Sequence, residues 1–106
     1  MAKKQGHTLE VGAIVYHSWG YEQTNVDFYQ VVGRTQHFVK IRPIKSKTVK
    51  RISDMAGEVV PVKDSFSTSE IERRKVSEWQ GRQLVKMFHG HGEEWDGKPK
   101  YESSYA

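Results

Sequence analysis

Cysteine is absent from this 106-residue chain. That excludes disulfides, thiolate zinc sites and a cysteine nucleophile, and it fits a reducing interior, because small secreted domains generally depend on such staples. Long apolar runs are missing as well. The longest, Ala13-Ile14-Val15-Tyr16, is far too short to cross a bilayer. Residues Met1 to His7 carry two lysines with no apolar stretch behind them, so they do not read as a signal peptide. The expectation is a cytoplasmic protein with no membrane partner. Apolar residues make up only 36% of the chain against 28% charged, so the core must be modest. Twelve aromatic side chains compensate with large burial per residue. One domain is all that this length supports.

Acidic residues are missing from one long window. Between Phe28 and Ser53 the chain carries Arg34, Lys40, Arg42, Lys45, Lys47, Lys50 and Arg51 and no carboxylate. The total charge is only +4, but a local field of one sign attracts a polyanion whatever the total. The structural alternative is a solvated face, since lysines on exposed strands keep sheet edges apart.

The pattern of the chain predicts an all-β protein, with at most a short C-terminal helical turn. Residues 1–9 are polar and are expected to be a flexible N-terminus. Val11–Trp19 reads as a strand rich in β-branched and aromatic residues, followed by a loop over Gly20–Asn25 and a second strand over Val26–Val32. After a turn at 33–36, His37–Ile44 alternates cleanly, with Val39 and Ile41 on one face and Lys40 and Arg42 on the other. Pro43 suits an edge or the end of that strand. Thr48–Ile52 and Val59–Val62 are short strand candidates, the first with a bulge because Val49 and Ile52 are out of phase. Residues 63–70 read as a loop.

Residues 69–88 admit a helix capped by Ser69 or a hairpin turning at Gln80-Gly81. A mid-helix glycine would cost about 1 kcal/mol, and the apolar residues form no steady helical stripe, so the hairpin is favoured. His89–Gly92 reads as a flexible loop, Glu93-Glu94-Trp95 as a helical turn, Asp96–Pro99 as a turn and 100–106 as a polar C-terminal tail. Short strands with tight turns in a single domain over 10–99 point to a small SH3-like barrel or a rolled antiparallel sheet, with an OB-like barrel as the rival.

Three segments could carry chemistry. The first is the stretch from Ser18 to Tyr29, where Trp19, Tyr21, Gln23, Asn25, Asp27 and Tyr29 combine flat rings with amides and a carboxylate. Rings supply stacking and amides read base edges, which is what a ligand- or base-binding loop requires. The structural reading of the same residues has Trp19 covering an open end of the barrel, Phe28 in the core and Asn25 and Asp27 capping turns. The second is the basic strand, where Lys40, Arg42, Lys45, Lys47, Lys50 and Arg51 could follow a phosphate backbone. Six such contacts would give a salt dependence with a log–log slope of about −4 to −5. The third, His89-Gly90-His91-Gly92 with Glu93 and Glu94, offers only a partial ligand set on an unheld loop, so no metal is expected. No cofactor-binding pattern, nucleophile elbow or paired-carboxylate signature occurs, and no catalytic residues are assigned.

Two of these stretches carry a resemblance. Ser18-Trp19-Gly20-Tyr21-Glu22-Gln23-Thr24-Asn25-Val26-Asp27-Phe28-Tyr29-Gln30-Val31 and, near the end, Trp95-Asp96-Gly97-Lys98-Pro99 with Tyr101, Ser103 and Tyr105 resemble a family of small proteins of unassigned function encoded by bacteriophages and related mobile elements. The resemblance implies an accessory protein acting inside a bacterial host cell. The expected function is non-enzymatic binding of nucleic acid through the basic strand and the aromatic–amide loop. The alternative is an inhibitor or adaptor that grips a host protein or sequesters a small nucleotide.

Overall fold

The computed structural model describes residues 7–20, 23–87 and 90–103, and within them the chain is all-β. Eight strands form one antiparallel sheet: β1 (Ile14–Trp19), β2 (Asn25–Arg34), β3 (Phe38–Ser53), β4 (Ala56–Phe66), β5 (Glu72–Trp79), β6 (Arg82–Lys86), β7 (His91–Glu94) and β8 (Lys100–Ser103). Because β2 also pairs with β3, six strands close on themselves in the order β1-β2-β3-β5-β6-β7. This barrel-like ring leaves β4 and β8 outside, β4 paired to the far half of β3 and β8 paired to β4.

Alternation along the strands fills the ring. Val15, Val31, Val39, Ile41, Val76, Val85 and Met87 meet inside it with Leu9. Opposite positions on β1, β2 and β3 point outward, and Val26, Phe28 and Ile44 form a second cluster there with Val59 of β4, Tyr16 and Trp95. The Phe28 and Trp95 rings meet edge to face at 6.4 Å, a favoured aromatic geometry. The second cluster is where the arm made by β3, β4 and β8 folds back on the ring.

The β5–β6 hairpin turns at Gln80-Gly81 as expected. Both residues have positive φ, 52° and 80°, the backbone of a type I′ turn that matches strand twist. Other expectations need correction. The His37–Ile44 and Thr48–Ile52 segments are one continuous strand, β3, and Pro43 lies where that strand exchanges β2 and β5 for β4 as its partner. Residues 63–66 belong to β4 and not to a loop. The irregularity there is held by Gln30, which donates to Asp64 Oδ1 at 2.9 Å and accepts from Asp64 N at 2.8 Å, with Asp64 at φ 66°. Val11-Gly12 is a turn, and β1 starts at Ile14.

Glu93-Glu94 is a strand, not a helical turn, and His91-Gly92 begins it. The reason is closure: β7 joins β6 to β1, and only a glycine fits at its centre. A Cβ at Gly92 would lie 2.8 Å from Tyr16 O and 2.6 Å from Met87 Cε. His89, the other half of the histidine pair, lies outside the described residues. Lys100–Ser103 is β8 and not a free tail, its backbone satisfied by β4 and by Thr24.

The end of the expected flexible N-terminus is likewise anchored. Leu9 is 1% exposed. His7 Nδ1 accepts from Leu9 N, so its Nε2 carries the proton and donates to the Thr35 and Phe38 carbonyls. One end of the ring is thereby plugged.

Candidate nucleic-acid interface

At the other end of the ring, the inward positions of β1, β2 and β5 run out into solvent. His17, Trp19, Asp27, Tyr29, Glu72, Arg74 and Met87 line a cavity of about 270 Å³ there. Gly20 makes the approach possible. Its φ is 132°, and a side chain would collide with the Gln23 carbonyl, 1.9 Å from the Cβ position. Trp19 is 45% exposed and donates its indole N–H to Asp27 Oδ2 at 2.7 Å, which fixes the ring with a face to solvent. Glu72 is paired with Arg74 at 2.5 Å. Burial, then the charges of Asp27 and Glu72, push the Tyr29 hydroxyl above its ordinary range, so it stays a donor at neutral pH.

Only part of the aromatic–amide stretch therefore reaches the mouth. Trp19, Asp27 and Tyr29 converge on the mouth. Asn25 is paired to Trp19 across the ladder and is half-buried, as is Gln23. Tyr21 lies outside the described residues. His17, Glu72, Arg74 and Met87 join the mouth from positions that sequence proximity did not suggest.

The six basic residues do not form one surface. Along β3, Lys40 and Arg42 share the outer face with Gln30, whereas Lys45 and Lys47 fall on the opposite face. A bulge at Val49 then shifts the register, so Lys50 opposes Glu58 on the same face as Lys47 and Val60, while Arg51 opposes Gly57 on the other. Lys45 also lines a shallow depression with Asp27, Tyr29 and Pro43, so this face of the arm runs toward the mouth.

The outer face gains two cations that the sequence reading did not select. Lys40 lies directly opposite Arg73, and Lys75 opposite Phe38, in the β3–β5 ladder. The Arg73 guanidinium stacks 3.7 Å over the Phe38 ring, and Arg42 stacks 4.1 Å over Phe66 while donating Nε–H to Thr68 O at 2.6 Å. Lys40, Arg42, Arg73 and Lys75 thus stand together. Among the described residues, ion pairs engage Arg34, Arg74, Arg82 and Lys100, and none of these four. The signal was available in Arg73-Arg74-Lys75: in a strand, alternation sends Arg73 and Lys75 to one face and Arg74 to the other.

Compared with known proteins, the chain matches no family model, no curated protein and no solved structure.

Proposed function

We propose that this protein binds nucleic acid without sequence specificity, through the outer face of the β3–β5 pair. The observation that carries the reading is Lys40 directly opposite Arg73. Like charges at opposed positions destabilise a sheet, and here the neighbours Arg42 and Lys75 add to the repulsion instead of relieving it. A phosphate backbone removes that cost. Stacking on Phe38 and Phe66 holds two guanidiniums flat and in place, which lowers the entropy lost when each meets a phosphate. Resemblance to small phage-encoded proteins supports an accessory role inside a bacterial host.

The reading is of a binding protein and not an enzyme, because the mouth's two carboxylates are already committed, Asp27 to the Trp19 indole and Glu72 to Arg74. Fluorescence anisotropy with short RNA and DNA oligomers between about 50 and 200 mM salt tests it. Four phosphate contacts predict a log–log slope of about −3 to −4. Arg73→Glu should abolish binding at the higher salt without lowering the melting temperature, because it also relieves the repulsion with Lys40. Absence of binding at the low-salt end refutes the reading.

A second reading, capture of a small ligand such as a nucleotide, is favoured by the mouth alone, where the Trp19 face borders the cavity. Quenching of Trp19 fluorescence by a panel of nucleotides, lost in Trp19→Ala, would establish it.

A further inference from the structure

The arm carries a feature that phosphate contact alone does not use. Beyond Ile44, β3 pairs only with β4 among the described residues, so one edge of residues 45–53 is unpaired. Beyond a first register shift at Lys45, two more interrupt this stretch. The ladder runs from Thr48 to Lys50 and from Arg51 to Ser53, and each time it passes over an apolar residue, first Val49 and then Ile52. Met55 follows in the Asp54-Met55 turn that joins Ser53 to Ala56. All three are about half exposed, at 48%, 51% and 47%, and belong to neither core cluster.

Cations bracket these side chains on both faces. Lys47 and Lys50 lie on one, Arg51 on the other, and none is ion-paired within the described residues. The carboxylates here are Asp54 in the turn, Glu58 opposite Lys50, and Glu102 of β8, which lines one depression with Arg51 and Met55.

Bulges re-aim side chains and interrupt pairing. Two of them, with lysines alongside, make this edge unfit to add a strand from a second copy. Three separate apolar side chains also fall short of the broad apolar face that holds a protein at a lipid surface. Apolar side chains at a strand tip, flanked by cations on both faces, match what a duplex groove offers: stacked bases between two phosphate rows. Proteins that bend DNA insert such wedges between base steps.

We propose that the tip of this arm, Val49, Ile52 and Met55, wedges against the bases of a nucleic-acid duplex and unstacks a step, while Lys47, Lys50 and Arg51 hold the phosphates on either side. This rests on the nucleic-acid reading above and adds to it a duplex partner and a distortion of that partner.

The test uses the full chain and a DNA duplex of about 20 base pairs carrying 2-aminopurine at a central step, with binding read by anisotropy and unstacking by 2-aminopurine fluorescence. The wild type should bind and raise the fluorescence. Combined Val49→Ser, Ile52→Ser and Met55→Ser should remove the rise while weakening binding by less than about tenfold. Val11→Ser, an exposed apolar position in the turn before β1, should leave both unchanged. Met55→Ser alone, at a turn residue, serves if the triple variant melts early, and should at least halve the rise.

Binding without a rise overturns the wedge and leaves the nucleic-acid reading standing. No binding at low salt overturns both. Binding of phosphatidylserine vesicles that the triple variant loses, with the duplex signal unchanged, also overturns the wedge and assigns the tip to a lipid surface.

Discussion

The two halves of β3 have the same backbone and opposite surroundings. From Val39 to Ile41 the strand is paired on both edges, with β2 and with β5, and contributes Val39 and Ile41 to the interior of the ring. From Lys45 to Ser53 it is paired on one edge, interrupted by three register shifts, and exposed throughout. One half gains its stability from burial. The other is carried by its attachment to β4, whose Val59 reaches down to Phe28 and Ile44. The difference shows how a small core can support a surface much larger than itself: a single strand runs out of the ring and is then free to display charge.

Ile41→Ala would break this comparison most severely. It removes a fully buried side chain from the ring and should cost about 2–5 kcal/mol, read from urea unfolding, whereas Val49→Ala on the arm should stay within about 0.5 kcal/mol. Equal costs for the two would mean that the arm is as much a part of the core as the ring. The next largest effect is expected at the closing seam. Gly92→Ala forces a methyl against Tyr16 O and Met87 Cε and should cost about 1–3 kcal/mol by thermal unfolding. A neutral result there would show slack in β7.

Hydrogen exchange sharpens the comparison without a mutation. Backbone amides of 38–41 should exchange only through global unfolding, and those of 45–53 through easier local opening. A single common protection level across β3 would contradict it. The smallest effect is expected at Tyr29. Its hydroxyl is held above the ordinary tyrosine range by burial and by Asp27 and Glu72, so the folded state keeps a proton that the unfolded chain releases first. The stabilisation is complete below the unfolded tyrosine value and is lost as pH rises through the raised folded one. Alkaline melting curves should therefore show a shallower decline in Tyr29→Phe than in the wild type.

Local patterns made a good part of the fold legible. Alternation over Val39–Arg42 and the Gln80-Gly81 turn each depend on a few neighbouring residues, and both gave the right strand and hairpin. What was not legible depends on distant partners. His91-Gly92-Glu93-Glu94 has no strand propensity of its own; it is extended because a gap between β6 and β1 had to be filled by a residue without a side chain. Lys100–Ser103 gains its backbone partners only from β4 and Thr24. Pro43 looked like an end because proline usually marks one, yet here it marks a change of neighbours. The candidate site divides the same way. The basic residues were visible, but a bulge at Val49 decided which of them share a face, and Arg73 and Lys75 joined Lys40 through a pairing that separates them by more than thirty positions.

Closure of the ring has a consequence for how the chain is made. Val15 finds its partner in Glu94, so the two cannot meet until the chain has been made as far as β7. Until then β1 has only β2 beside it, and the interior stays open to water and to other chains. The β3–β4 arm, built from residues close together in sequence, can form while translation is still under way. The tip proposed as a wedge is thus ready before the body that carries it is sealed.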